Sequence, residues 1–146
     1  MMHFMKACGR VAVIATVVMA GGGFGRVDGQ GGGARSFVSP GGSQLKVLVD
    51  AASLGGTEVE IAELTFPANA DSGDHRHAVT ETFYLLSGEL EQVINGKPVK
   101  LAPGMAVSIR STDQVRHKSG PAGAKVLVIW APGGEIARVT AKWKPQ

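Results

Sequence analysis

The chain has 146 residues, with 15 Lys and Arg against 12 Asp and Glu, a formal charge of +3 and a single cysteine. That length suits one ordinary domain with a buried core. The small net charge without a Lys/Arg cluster argues against a nucleic-acid partner, and one cysteine excludes an intrachain disulfide framework.

Lys6 and Arg10 precede the apolar run from Val11 to Ala20, and small residues follow at once. A basic start, a short apolar stretch and an exit with Val18 and Ala20 at the −3 and −1 positions describe a secretory signal peptide over residues 1–20. The run is shorter than the roughly 20 apolar residues a spanning helix needs, so no membrane attachment is expected after cleavage. An uncleaved anchor or a buried N-terminal strand is the alternative. Export to the periplasm or medium would remove Cys8, leaving no thiol chemistry, and would lower the formal charge to +1 by taking away Lys6 and Arg10. Gly21 to Gly33 holds eight glycines and few apolar side chains, which reads as a flexible leader over 21–36 ahead of a domain over 37–146.

From Leu45 onward the pattern has period two. Leu45, Val47 and Val49 alternate with polar neighbours, and Val59 and Ile61 do so among Glu58, Glu60 and Glu63. A polar stretch from Asn69 to Asp74 precedes a strand over Thr80 to Leu86, and Ser87-Gly88 reads as a turn. Leu90 to Ile94, Asn95-Gly96 and Lys97 to Leu101 form a hairpin signal, because both turn residues accept positive φ. Met105 to Ile109 and Val126 to Trp130 are further strands, and Pro132-Gly133-Gly134 ends the last of these before an extended Ile136 to Trp143. Short strands with turns between them and no helical period past the signal predict an all-β sandwich or small barrel. Phe83, Leu85, Val107, Ile109, Val126, Val128 and Trp130 are its expected core.

The chemistry concentrates in Asp74 to Glu81. His75, His77 and Glu81 share odd parity, so one extended segment aims two imidazoles and a carboxylate to one face. With His117 they suit iron, manganese, nickel, copper or zinc rather than calcium. Glu81 could instead be a solvated residue or an ion-pair partner of Arg76, and Asp71 and Asp74 read as loop residues.

These residues resemble the cupin superfamily, whose first motif is Gly-x5-His-x-His-x3-Glu-x6-Gly. His75, His77, Glu81 and Gly88 match it in spacing, and Asn69 stands at the leading glycine, where it can adopt the left-handed conformation. The second motif departs. Its histidine would fall at Val115, its Pro-x-Gly is replaced by Arg110 to Gln114, and only His117 is near. A longer loop would return His117 to the pocket; otherwise His117 sits at the rim of a three-ligand site.

The resemblance, which is to the small quercetinase-like cupins, implies a single jelly-roll β-barrel, a homodimer, and one divalent transition metal on His75, His77, Glu81 and His117. Such a ligand set leaves about two positions open on an octahedral ion. The implied function is action on a small organic molecule. Dioxygenase-like chemistry leads, with Glu81 as a candidate catalytic base. A Lewis-acid isomerase or decarboxylase, a metal-free epimerase and a non-enzymatic ligand-binding or sensing cupin are the alternatives.

Overall fold

The computed structural model describes residues 35–146, so the expected signal peptide and all but the last two residues of the leader lie outside the described residues. The strands are β1 (Ser36–Val38), β2 (Gln44–Val49), β3 (Glu60–Phe66), β4 (Thr80–Ile94), β5 (Lys97–Leu101), β6 (Ala106–Ile109), β7 (Val115–Ala131) and β8 (Lys144–Pro145). They join in one antiparallel sheet of order β5-β4-β7-β3-β2-β1-β8, with β6 pairing β4 over Glu81 to Tyr84 on the same edge that β5 takes over Leu90 to Ile94. The described residues form a single all-β barrel.

Two long strands make the barrel. β4 and β7 pair along their whole lengths, from Thr80↔Ala131 to Ile94↔Val115. Midway, register shifts flank Ser87 and Gly88, so the expected turn is a bulge within β4. Opposite them the buried face changes parity. Glu81, Phe83 and Leu85 face inward before the bulge, and Leu90 and Gln92 after it. In β7, Val115, His117 and Ser119 point inward, and then Ala124, Val126, Val128 and Trp130. An odd step in each strand, from Leu85 to Leu90 and from Ser119 to Ala124, reverses the inward set and bends the pair. Glycine is required here. Gly88 has φ +82 and Gly123 φ +76, and a Cβ on Gly88 would lie 2.2 Å from the Gly123 carbonyl oxygen.

The Asn95-Gly96 hairpin forms as expected, with φ of 50 and 80, and Asn69 takes the left-handed conformation at φ 54. The parity of β3 does not. Ala62, Leu64 and Phe66 face the core, while Val59 and Ile61 are only half-buried and Glu60 points inward. The cause is a partner far along the chain: the Glu60 carboxylate accepts from the Ile136 amide at 2.8 Å. Nor is Ile136 to Trp143 extended. It forms α2 (Glu135–Val139) and a 3-10 turn (Thr140–Lys142), entered through Gly134 at φ +109. A carboxylate that satisfies a first-turn N–H stabilises a helix start that periodicity alone does not reveal. A further short helix, α1 (Ala51–Leu54), also escaped the period-two pattern; Asp50 and Ser53 close it with a capping box.

The expected core is buried with the exception of Val107, which is partly buried against it. Phe66 and Phe83 meet edge-on at 6.2 Å between ring centroids. The core lies between the two halves of the barrel, and its polar end opens into a cavity.

Candidate metal centre

His75 and His77 do not ride on a strand. They precede β4, and only Glu81 belongs to it. His75 is fastened instead by a two-way backbone pairing with Val115, each amide donating to the other's carbonyl at 2.9 Å. Val115, where the family spacing would place a histidine, is thus a buried anchor, and His117 follows two residues on with the same inward parity. The Arg110 to Gln114 turn sets that offset. Arg110 N donates to Asp113 Oδ2 at 2.9 Å, and Asn95 accepts from Gln114 N and donates to Asp113. His117 is therefore inside the pocket rather than at its rim, 5 % exposed.

The three imidazoles converge through their Nε2 atoms. His75 Nε2 lies 3.2 Å from His77 Nε2 and 3.1 Å from His117 Nε2. Glu81 Oε2 is 3.0 Å from His77 Nε2 and 3.6 Å from His117 Nε2. Each Nδ1 faces an oxygen on the other side: Gly73 O at 3.0 Å for His75, Glu135 Oε1 at 3.0 Å for His77, and Gln92 Oε1 at 2.5 Å for His117. Carbonyl and carboxylate oxygens accept only, so each Nδ1 carries the hydrogen and each neutral ring presents an Nε2 lone pair to the centre.

Glu81 completes the set. It is 1 % exposed, its Oε1 accepts from Trp130 Nε1 at 2.9 Å, and its Oε2 has no hydrogen-bond partner. A buried carboxylate oxygen and three lone pairs within contact distance repel one another unless a cation sits among them. The donor set, imidazole nitrogen with one carboxylate, is that of a divalent transition metal. The three-histidine cluster could hold such an ion, and the orphaned Glu81 oxygen fits it as a fourth ligand.

Electrostatics separate the histidines. Burial pushes the His77 imidazole down, but the Glu81 and Glu135 carboxylates on its two nitrogens more than offset this and hold it above the ordinary value. Burial, reinforced by His75 and His77, holds His117 well below that value. Between these two, His77 rather than His117 is the one that takes up a proton.

The cluster forms the floor of a cavity of about 530 Å³. Leu64, Phe66, Phe83 and Trp130 wall it, so Phe83 and Trp130 serve both core and pocket. Its mouth is completed from both ends of the domain, by Ser39 to Ser43 before β2 and by Arg138, Val139 and Trp143 from the C-terminal turn. Glu135, Gln92 and Trp130 were not marked by the sequence as site residues. The first two are polar residues whose partners are 58 and 25 positions away, and no local spacing announces that.

A family model described as "Cupin domain" matches residues 62–132. No sequence among the curated proteins matches the chain. Among solved structures, KdgF from Halomonas sp. is 20 % identical at a TM-score of 0.57, over 65 % of this chain and 82 % of that one. An RmlC-like cupin from Shewanella frigidimarina is 18 % identical at 0.59, over 68 % and 86 %. Oxalate decarboxylase from Bacillus subtilis, a protein with Mn(II) centres, is 14 % identical at 0.60, over 67 % of this chain but only 27 % of its own length. At these identities the likeness is one of fold. Residues 62–132 thus match a cupin domain, set in a cupin-type barrel.

Proposed function

We propose that this chain is a metal-dependent cupin that holds one divalent transition metal on His75, His77, His117 and Glu81 and acts on a small organic molecule. The observation that carries the reading is the convergence of three Nε2 lone pairs and one unpartnered carboxylate oxygen, with every Nδ1 already engaged on its outer side. Bound there, such an ion would polarise a substrate oxygen, and a redox-active one would add dioxygen chemistry. The chain's own residues supply the rest. Phe66, Phe83 and Leu64 keep water from the floor, and Trp130 fixes Glu81 by one oxygen so that the other stays directed at the histidines.

Dioxygenase-like oxidation of a small substrate is the leading reaction class. A Lewis-acid isomerase or decarboxylase is favoured by one observation: Glu81 Oε2 is free of hydrogen bonds, so once it leaves the metal it can take or return a proton beside the substrate. Metal identity separates the two readings. The test is elemental analysis of wild type beside the His75→Ala/His77→Ala double variant, both purified after growth with mixed metals. Stoichiometric metal in wild type alone supports the site. Iron or copper then directs the screen to oxidation, and zinc to Lewis-acid chemistry. Equal metal content in the two proteins overturns the ligand set, and none in either after reconstitution overturns the metal reading and leaves a metal-free binding module.

Two further proposals accompany it. The chain is read as exported, which cell fractionation with N-terminal sequencing of the mature protein would check. It is also read as a homodimer; Tyr84, Leu86 and Met105 lie exposed where β4 meets β6, and light scattering would give the mass.

A further inference from the structure

The three histidines differ in what stands behind them. His75 and His117 donate to neutral oxygens, the Gly73 carbonyl and the Gln92 amide. His77 alone donates to a carboxylate, Glu135 Oε1. Glu135 is 1 % exposed, although a buried carboxylate is costly without partners. Its partners are few and specific. Besides His77, the Arg138 guanidinium lies at 3.0 Å from Oε1, and the Ala78 amide reaches Oε2 at 3.4 Å. The turn that carries Glu135 is in turn pinned by a second buried carboxylate, through the Ile136 amide on Glu60. Both Glu135 and Arg138 lie beyond the segment that matches the family model.

We propose that Glu135 is a positioning residue for His77, supplied by the C-terminal turn, and that Arg138 tempers its charge. The proposal rests on the reading of His77 as a metal ligand. A carboxylate on Nδ1 fixes the ring's tautomer and orientation and makes its Nε2 a stronger donor than that of either companion. Arg138 opposes this, because a guanidinium on the same oxygen withdraws part of the negative charge. Arg138 also donates to the Arg76 carbonyl, between His75 and His77, so the turn is tied to the ligand segment at two points.

The competing view is that Glu135 and Arg138 form an ion pair that merely anchors the turn. The two views differ in sign. Removing the carboxylate and removing the guanidinium should act in opposite directions if charge behind His77 matters, and in the same direction if only anchoring matters. The experiment is titration of the full metal-free protein with Co(II), following affinity and the visible absorption bands of the bound ion, for wild type, Glu135→Gln and Arg138→Gln. Glu135→Gln is expected to bind roughly 10- to 100-fold more weakly, with displaced bands. Arg138→Gln, at a half-exposed position, is expected to bind at wild-type strength or up to about fivefold more tightly, with bands displaced the other way.

Weaker binding by both variants with unshifted bands overturns the proposal, as does a Glu135→Gln protein indistinguishable from wild type; either leaves the metal site itself standing. Should Glu135→Gln not fold, Arg138→Gln decides, a band shift without loss of affinity supporting the proposal and any other result overturning it. Failure of wild type to bind Co(II) overturns both this proposal and the metal reading beneath it.

Discussion

The pocket is built from two regions that meet at His77. One is the β4–β7 pair with the loop before it, which presents His75, His77, Glu81 and His117 and lies inside residues 62–132. The other is the C-terminal turn, which brings Glu135, Arg138, Val139 and Trp143 to the same cavity from outside that span. The first places donors by strand parity and backbone pairing, so their positions follow from the barrel. The second places a carboxylate by burying it against one imidazole and one guanidinium, so its position follows from side-chain contacts. The two regions can therefore be perturbed separately.

The sharpest way to break this comparison is to attack the bend on which the first region depends. Gly88→Val would set a β-branched side chain at φ +82 with its Cβ 2.2 Å from the Gly123 carbonyl oxygen, a clash with backbone that no rotamer relieves. We expect a loss of more than about 3 kcal/mol, or failure to fold, since left-handed strain and overpacking add. Denaturant unfolding of the metal-free chain measures it. An unaltered midpoint would mean that the strands do not need this bulge to reverse their inward faces.

Trp130→Phe tests the junction of core and site. Ring bulk is largely kept, but the indole N–H on Glu81 Oε1 is lost and both carboxylate oxygens are then without a hydrogen-bond donor. A cost of about 1–3 kcal/mol is expected in the metal-free protein. Metal should recover part of it, because an ion on Oε2 still satisfies one oxygen. Melting with and without added metal checks both halves, and an equal deficit in the two would separate Glu81 from the metal.

Glu60→Ala sharpens the contrast from the other side, by freeing the start of α2 without touching a histidine. Loss of the carboxylate on the Ile136 amide should cost about 1 kcal/mol or slightly more, as for a lost helix cap. Hydrogen exchange should rise over residues 135–142 and leave β4 and β7 protected. If exchange rose across the barrel instead, the turn would be part of the core rather than an attachment to it.

How far the sequence discloses each region follows from the same difference. The ligand run was legible because parity and spacing are local properties: His75, His77 and Glu81 reach one pocket even though the first two stand ahead of the strand. Asn95-Gly96 was legible because positive φ is a property of those two residues. Ser87-Gly88 was misread as a turn, since glycine marks positive φ without saying whether the chain reverses or bulges. Glu60 and Glu135 were not legible as inward-facing. A charged residue in an alternating run or just after a glycine turn looks solvated, and what buries each one is a contact 76 or 58 residues away.

The smallest expected effect concerns the pocket rim, where Arg116 donates two bonds to Asp71, at 2.5 and 2.6 Å, and where the backbones of Asp71 and Lys118 are bridged. The Arg116 guanidinium, helped by the Gly73 amide, holds the Asp71 carboxyl down at about 2. A carboxyl whose folded value lies below its unfolded value stabilises the fold above the unfolded value of about 4, and that contribution fades as pH falls toward 2. Both side chains are more than a third exposed, so screening limits the contribution to at most about 1 kcal/mol. Asp71→Asn should therefore lower the unfolding midpoint slightly at pH 7, and the difference from wild type should shrink on acidification and with added salt. The bond that Asp71 accepts from the Gly73 amide is one an asparagine oxygen can also accept, so a difference that persisted at pH 2 and in high salt would mean that the charge of Asp71 is not what stabilises the rim.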